Sequence, residues 1–229
     1  MSKWPKKLPK LTLEQQRIKD DFMRYWLEIV PTKYSIVERF SNGFPARNCR
    51  PARKILELGA GLGNQIPYED LSHSEFHALE LRPSIAHILK KRFPKIHVRI
   101  GDCQKKLPYR SNYFDRVQSI HVLEHLPNLP FTLNEVSRVL KPNGEFCVVI
   151  PCEGGLVHNF GREFAGKKEF ERRYGVAYDW CIQSEHVNTG QEVMAELAAK
   201  FKPIKIQYFP FGVPLIHLNL FVGMVYKLI

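Results

Sequence analysis

The segment Ile55–Pro67, ILELGAGLGNQIP, sets an apolar run against three glycines at alternate positions, Gly59, Gly61 and Gly63. A short apolar run that ends in glycine reads as a buried strand entering a turn. Glycine there lets a ligand approach the backbone and presents N–H groups to it. A dinucleotide, a nucleoside triphosphate, another nucleoside cofactor and a bare tight turn all satisfy that description. The G-x-G-x-x-G fingerprint fails, because its third glycine falls at Asn64. A P-loop fails too, because no Gly-Lys-Ser/Thr is present. What remains is Glu57-x-Gly59-x-Gly61-x-Gly63.

The elements around this turn alternate. Thr12 with Gln15 starts a helix through Val30 as a capping box, and a second helix over Lys33–Phe40 is ended by SNGFP. Strands follow at Lys54–Leu58, Glu75–Leu81, Ile96–Ile100, Phe114–Ile120 and Glu145–Ile150. Helices are expected at Pro83–Arg92, which has Pro at its first position, and at Asn128–Leu140. A helical turn or short helix follows Gly63, and a loop replaces the helix between the third and fourth strands. This order argues a parallel sheet covered on both faces. From Pro151 to His186 the chain reads as irregular and rich in aromatic residues. A helix at Gly190–Lys200 and strand-like runs at Ile204–Phe209 and Leu218–Leu228 close the sequence, with VPLIHLNLFVGMV (Val213–Val225) read as core strand.

In such a sheet, ligands lie at the carboxyl ends of the strands. Three features fall there. The second strand ends in Glu80, 17 residues past Gly63, where a carboxylate accepts hydrogen bonds from a ribose diol or is simply a surface acid. The third strand ends in Gly101-Asp102, placed to accept from the exocyclic amine of an adenine. The fourth strand runs into HVLEHLPN, His121–Asn128.

Together the segments ILELGAGLGN, LELRPS, IGDCQKKLP, YFDRVQSIHVLEHLPN and VLKPNGEFCVVIP resemble the class I S-adenosylmethionine-dependent methyltransferases, over roughly Lys54–Pro151. The resemblance implies a Rossmann-like α/β fold, a doubly wound seven-stranded sheet whose last strand is antiparallel, with S-adenosylmethionine as cofactor. Carried over by position, Glu57, Gly59, Ala60, Gly61 and Gly63 form the cofactor loop. Glu80, with Leu81 beside it, holds the ribose, Asp102 and Cys103 hold the adenine, and His121 lies beside the methionine part. It also implies one domain: an N-terminal helical region (1–50), the cofactor core (51–151), a substrate lid (152–188) and a C-terminal helix with two strands (189–229).

Methyl transfer to oxygen needs in-line alignment and removal of a proton, and histidine is the natural base near neutral pH. His125, just past the fourth strand, and His186, in SEHVN before the last helix, are the candidates; each has a structural alternative, as a helix cap and as a lid contact. In the lid, Tyr174, Tyr178, Asp179 and Trp180 either wall a pocket or pack inward, with Arg172 and Arg173 available to an anion.

Composition frames the partners. The chain has 229 residues, is 44% hydrophobic and carries a net charge of +11, which favours anionic partners. The reading is a small-molecule methyltransferase, its acceptor an oxygen of a sugar-containing or phosphorylated metabolite. An RNA methyltransferase is the alternative, with nucleic acid as partner, and a non-catalytic partner subunit is a third reading. No catalytic N/D-P-P-Y/F motif occurs. Five cysteines without a CxxC pair suggest reduced thiols in the cytoplasm and no metal site. Neither a signal-peptide pattern nor a membrane-spanning run is read.

Overall fold

The computed structural model describes residues 3–33 and 35–228. Seven strands, β1 (Lys54–Leu58), β2 (Glu75–Glu80), β3 (His97–Ile100), β4 (Phe114–Ile120), β5 (Leu140–Pro151), β6 (Phe201–Phe209) and β7 (Phe221–Leu228), form one sheet in the order β3-β2-β1-β4-β5-β7-β6. β1 through β5 pair in parallel, and β7 enters antiparallel between β5 and β6. The strand order reverses at β1 and β4, so the glycine turn leaves β1 at the switch point where such sheets bind ligands.

Among the described residues eight helices complete the fold: α1 (Leu13–Lys33), α2 (Ser35–Asn48), α3 (Pro83–Arg92), α4 (Leu129–Val139), α5 (Leu156–Arg162), α6 (Lys168–Tyr174), α7 (Asp179–Glu185) and α8 (Gly190–Ala198). α2 and α3 cover one face, through Phe40 and Phe44 against Cys147, Val149 and Val225 and through Leu89 against Ile55 and Phe76. α4 and α8 cover the other, where Leu133, Val136, Val193 and Leu197 meet Leu56, Phe146 and Val148. No described helix is long and apolar enough to cross a membrane.

Local chemistry explains the element starts. The Gln15 N–H donates to Thr12 Oγ1 at 3.1 Å and the Thr12 N–H to Gln15 Oε1 at 2.9 Å, the reciprocal box that opens α1. Thr189 and Glu192 repeat it at α8. The β1–β2 crossover contains only a 3₁₀ turn, Ile66–Tyr68.

Three sequence expectations are corrected. SNGFP does not end the second helix; α2 runs through it to Asn48. Pro45 inside a helix costs roughly 3 kcal/mol. Burial of Phe40 and Phe44, about 1.5–3 kcal/mol each, offsets it. Arg47 adds to this by folding back over Gly43 to donate to the carbonyls of Arg39 (2.8 Å) and Phe40 (3.1 Å). The segment 151–186 is not irregular but carries α5, a π-type turn (Glu163–Lys167), α6 and α7. Phe170, Tyr174 and Tyr178 recur at helical spacing, a period hidden by Gly166 and Gly175. The run Val213–Leu220 is not core strand: it is a loop with a 3₁₀ turn at Ile216–Leu218, and β7 begins at Phe221. Its backbone follows Asn219, a fully buried side chain whose Nδ2 donates to the carbonyls of Val213 and Leu215 and whose Oδ1 accepts from the Phe211 N–H.

The segment before α1 crosses the molecule. Trp4 Nε1 donates to Glu196 Oε1 on α8 at 3.0 Å. Lys6 Nζ donates to the Val187 carbonyl and to Glu192, both at 2.7 Å, while its N–H donates to the Pro127 carbonyl.

Candidate functional site

The glycine turn is held from two sides. The N–H groups of Gly59 and Ala60 donate to the Leu79 carbonyl, and the Gly61 N–H donates to Glu80 Oε2 at 2.9 Å. Glu80 is buried, and its Oε1 accepts from the N–H and Nε of Arg82, each at 3.0 Å. All three glycines have positive φ, but they answer different needs. A side chain at Gly59 would strike Val122, and one at Gly63 would strike Leu89, Ile66 and Phe93. Those two glycines let β4 and α3 close on the turn; Gly61 is the one whose N–H meets the acid of β2.

Below the turn, on the α2 face, Glu57 is buried with Oε2 unpartnered. Burial and the neighbouring Glu69 carboxylate push its carboxyl up to about 8, Arg116 opposing. Leu81 is exposed on the far side of Glu80. Asp102 lies two residues past β3, its Oδ1 capping the Gln104 N–H at 2.9 Å. Cys103 follows, a nearly buried thiol pushed up to about 12 by burial and by Asp102, which makes it inert as a nucleophile.

β4 delivers the second half of the site. His121 sits at φ 55°, a conformation rare for a residue with a side chain and concentrated at functional sites. Its ring lies 2.9 Å from Ser41 Oγ of α2 and 3.7 Å from Glu124. Glu124 is buried; burial opposes its charge, but His121, His125 and His186 outweigh it and hold the carboxyl below the usual range. The Glu124 carbonyl accepts the N–H groups of Val187 and Asn188, and Asn188 Nδ2 donates to the carbonyls of Leu123 and Leu126. This stitching brings the two sequence-predicted histidines together: the rings of His125 and His186 stand 4.8 Å apart.

The two histidines differ in proton affinity. Burial pushes His125 down, against the pull of Glu124. Burial also resists protonation of His186, but its 2.8 Å hydrogen bond to Glu153 and the charge of Glu124 prevail, and His186 is raised. His125 Nδ1 lies 2.8 Å from the Glu185 carbonyl. A carbonyl only accepts, so Nδ1 carries the hydrogen of the neutral ring and Nε2 keeps its lone pair.

The aromatic residues of 170–180 pack inward. Phe170, Tyr174, Tyr178 and Trp180 cluster with Phe22 of α1, the Phe22 and Phe170 rings 4.9 Å apart. Arg173 pairs with Asp21 at 3.1 Å and Arg172 with Glu169 at 2.6 Å, so both guanidiniums already face carboxylates. Asp179 is exposed. Ser41, Arg82 and Glu153 were not singled out by the sequence. Ser41 lay inside a stretch read as a helix stop, and Glu153 among glycines that signalled only a turn.

At the opposite edge of the sheet Glu75, His77 and His97 bring three ligand-type atoms within 4.8 Å, but Lys54 stands 3.2 Å from Glu75 and neutralises it.

Comparison with known proteins matches residues 56–148 to the family model for a methyltransferase domain. Sterol 4-C-methyltransferase strm-1 of Caenorhabditis elegans is 24% identical over 195 residues, covering 77% of this chain and 55% of that protein. The demethylmenaquinone methyltransferase of Staphylococcus haemolyticus is 28% identical over 167 residues, 65% of this chain and 66% of that protein. The chain thus spans about half the length of the first of these relatives. Among solved structures, a SAM-dependent methyltransferase from Thermotoga maritima, described as a possible histamine N-methyltransferase, superposes with a TM-score of 0.62 at 20% identity, covering 93% of this chain and 99% of that one.

Proposed function

The chain belongs to the class I S-adenosylmethionine-dependent methyltransferases, and from that premise we propose that it binds S-adenosylmethionine at the carboxyl ends of β1–β4 and methylates an oxygen of a small, largely apolar molecule. The donor set fits the cofactor. Glu57 Oε2 is a buried acceptor without a partner. Glu80 accepts three hydrogen bonds, and a carboxylate has about four lone-pair sites. Glu57, Ala60, Gly61, Glu80, Asp102, Cys103 and His121 would hold it. When bound, the cofactor supplies a methyl group on a sulfonium, electrophilic without further activation.

The chain's own contribution is alignment and proton removal. The observation that carries the reading is the His125–His186 pair. Two neighbouring titratable groups are pushed apart in proton affinity, the pattern by which acid and base roles are divided. Neutral His125 takes the acceptor's proton at Nε2. His186, protonated and held by Glu153, keeps positive charge beside the ionised Glu124. Residues 152–188 serve as the lid and exclude water.

The nature of the acceptor rests on two supports. Arg172 and Arg173, the two guanidiniums considered for an anion, are each paired with a carboxylate, which favours an uncharged acceptor over a phosphorylated one. The curated relatives are named for a sterol and for demethylmenaquinone, both largely apolar. Five free cysteines suit a reducing, cytoplasmic compartment.

The test is to incubate the purified protein with methyl-labelled S-adenosylmethionine and a cell extract, then divide the products. Label in the organic-soluble fraction is expected. Label in the aqueous small-molecule fraction would restore the phosphorylated or sugar-containing acceptor, and label in RNA would establish the nucleic-acid reading. No label anywhere, with the cofactor bound, would leave a non-catalytic partner subunit.

A further inference from the structure

α2 brings to the ligand edge an acid that the assigned cofactor residues do not include. Glu38 lies one helical turn before Ser41, so the two side chains share a face of the helix. Ser41 Oγ stands 2.9 Å from the His121 ring, which places that face against the carboxyl end of β4. Glu38 reaches the same place: its carboxyl is flanked by His121 and by Asn64, the residue after Gly63. Asn64 Oδ1 accepts from Arg92 Nη1 at 3.3 Å, which leaves the Asn64 amide as the donor toward Glu38.

The carboxylate is incompletely provided for. Oε1 of Glu38 is buried and has no hydrogen-bond partner. Burial pushes the carboxyl up, against the pull of His121 and of the Asn64 amide. A buried carboxylate oxygen without a donor is costly, and a ligand that brings a cationic donor removes that cost. Nor can the helix simply swing the acid into water. Phe40 and Phe44 are buried with Cys147, Val149 and Val225, and the Phe40 ring stacks on Phe209 at 4.7 Å. Arg47 ties back to two carbonyls of the same helix.

The order of the strands says which part of the cofactor would meet Glu38. With the adenine at Asp102 and Cys103 beyond β3 and the ribose at Glu80 of β2, a ligand laid across β3-β2-β1-β4 brings its other end over β1 and β4, toward His121 and α2. In S-adenosylmethionine that end is an amino acid, with one ammonium and one carboxylate. Glu38 repels the second and attracts the first, and an ammonium has three N–H donors to offer.

We propose that Glu38 is a further cofactor-binding residue, whose Oε1 accepts a hydrogen bond from the α-ammonium of S-adenosylmethionine. The proposal rests on the reading of this edge as the cofactor site, and it adds a residue from outside the 51–151 core. It also gives α2 a part in the chemistry. The helix that Phe40 and Phe44 hold on the sheet becomes the wall that fixes the amino-acid end of the cofactor, and so helps to orient its methyl group.

The test is a cycle of two proteins and two ligands, read by titration calorimetry. Wild type and Glu38→Gln are each titrated with S-adenosylhomocysteine and with the analogue in which hydrogen replaces its α-amine. S-adenosylhomocysteine should bind Glu38→Gln roughly 10- to 150-fold more weakly than wild type, from the loss of a hydrogen bond between charged groups. The analogue should bind the two proteins alike, and their circular dichroism should match. Should Glu38→Gln misfold, Glu38→Ala, which leaves no polar side-chain atom buried there, takes its place with the same expectation. Unchanged affinity for S-adenosylhomocysteine would overturn the proposal. So would an equal loss with both ligands, which would make Glu38 a support of His121 or of the glycine turn. Failure of the cofactor reading looks different: wild type would then bind neither ligand.

Discussion

His125 and His186 face each other beside the buried carboxylate of Glu124, their rings 4.8 Å apart and inclined at 82°. One is pushed toward the neutral form and the other toward the cation. If they divide the work as proposed, kcat rises with pH along a limb below the usual histidine range, as His125 loses its proton. It falls again along a limb above that range, as His186 loses its own. His125→Ala should lower kcat by about 10²–10⁴-fold with cofactor affinity nearly intact. Glu153→Gln removes the hydrogen bond that raises His186 and should move the alkaline limb to lower pH. A pH–rate profile of each variant checks both.

Glu80 holds the Gly61 N–H and is proposed to hold the ribose. Glu80→Gln should weaken S-adenosylmethionine binding by about 1.5–3 kcal/mol, roughly 10- to 150-fold. Titration calorimetry with S-adenosylhomocysteine measures it, with circular dichroism confirming the fold.

Glu57 offers a stability test with the opposite sign from an ion-paired carboxylate such as Asp21. Its folded-state value of about 8 lies above the usual 4.5. The native state therefore keeps a proton that the unfolded chain releases, and stability is lost as pH climbs from about 4.5 to 8. Glu57→Gln, which cannot ionise, should close that gap. Its melting temperature should match wild type near pH 4 and exceed it at pH 8.

Asp21 on α1 ties down α6 through Arg173 and Tyr174. Its carboxyl is lowered to about 2, first by the Tyr174 hydroxyl and then by Arg24 and Arg173. A depressed acid stabilises above its ordinary value of 3.8 and loses that contribution as pH falls toward 2. Asp21→Asn should melt earlier than wild type at pH 7, and the difference should vanish by about pH 2. Limited proteolysis at pH 7 should cut first within 152–188.

Gly223 of β7 lies under the ring of Phe44, which a methyl group would strike. Gly223→Ala should cost about 1–3 kcal/mol by overpacking. Phe44→Leu in the same chain should recover part of it, the two changes summing to less than their separate costs. Urea unfolding of the single and double variants decides.

The sheet was readable because its strands announce themselves. β1 and β4 have the boundaries their apolar runs and flanking turns imply, and α3 begins at its proline as expected. The antiparallel β7 came from the resemblance, since Phe221–Leu228 is apolar on both faces and carries no directional signal. Where reading failed, tertiary burial overrode a local rule. Pro45 and Gly43 spell a helix end, yet Phe40 and Phe44 have a cavity to fill on the sheet. The loop before β7 departs from its apolar pattern for the converse reason: Pro214 and the hydrogen bonds of Asn219 hold it out of the sheet, with its apolar side chains exposed. The separation of His125 from His186 by about 60 positions is closed by Asn188 and Glu124, whose contacts no local pattern encodes.

The crossing of the molecule by Trp4 and Lys6 has a bearing on the order in which the chain assembles. Their partners Val187, Glu192 and Glu196 lie more than 180 residues downstream. During synthesis the segment before α1 must wait for these partners until residues 187–196 have emerged. The loops it clasps, at Pro127 and Val187, flank His125 and His186, so the surroundings of these two rings are among the last regions to set. Contacts this distant in sequence are entropically late. A chain cut short before residue 187 would hold β1 to β5 with the segment before α1 still unclasped.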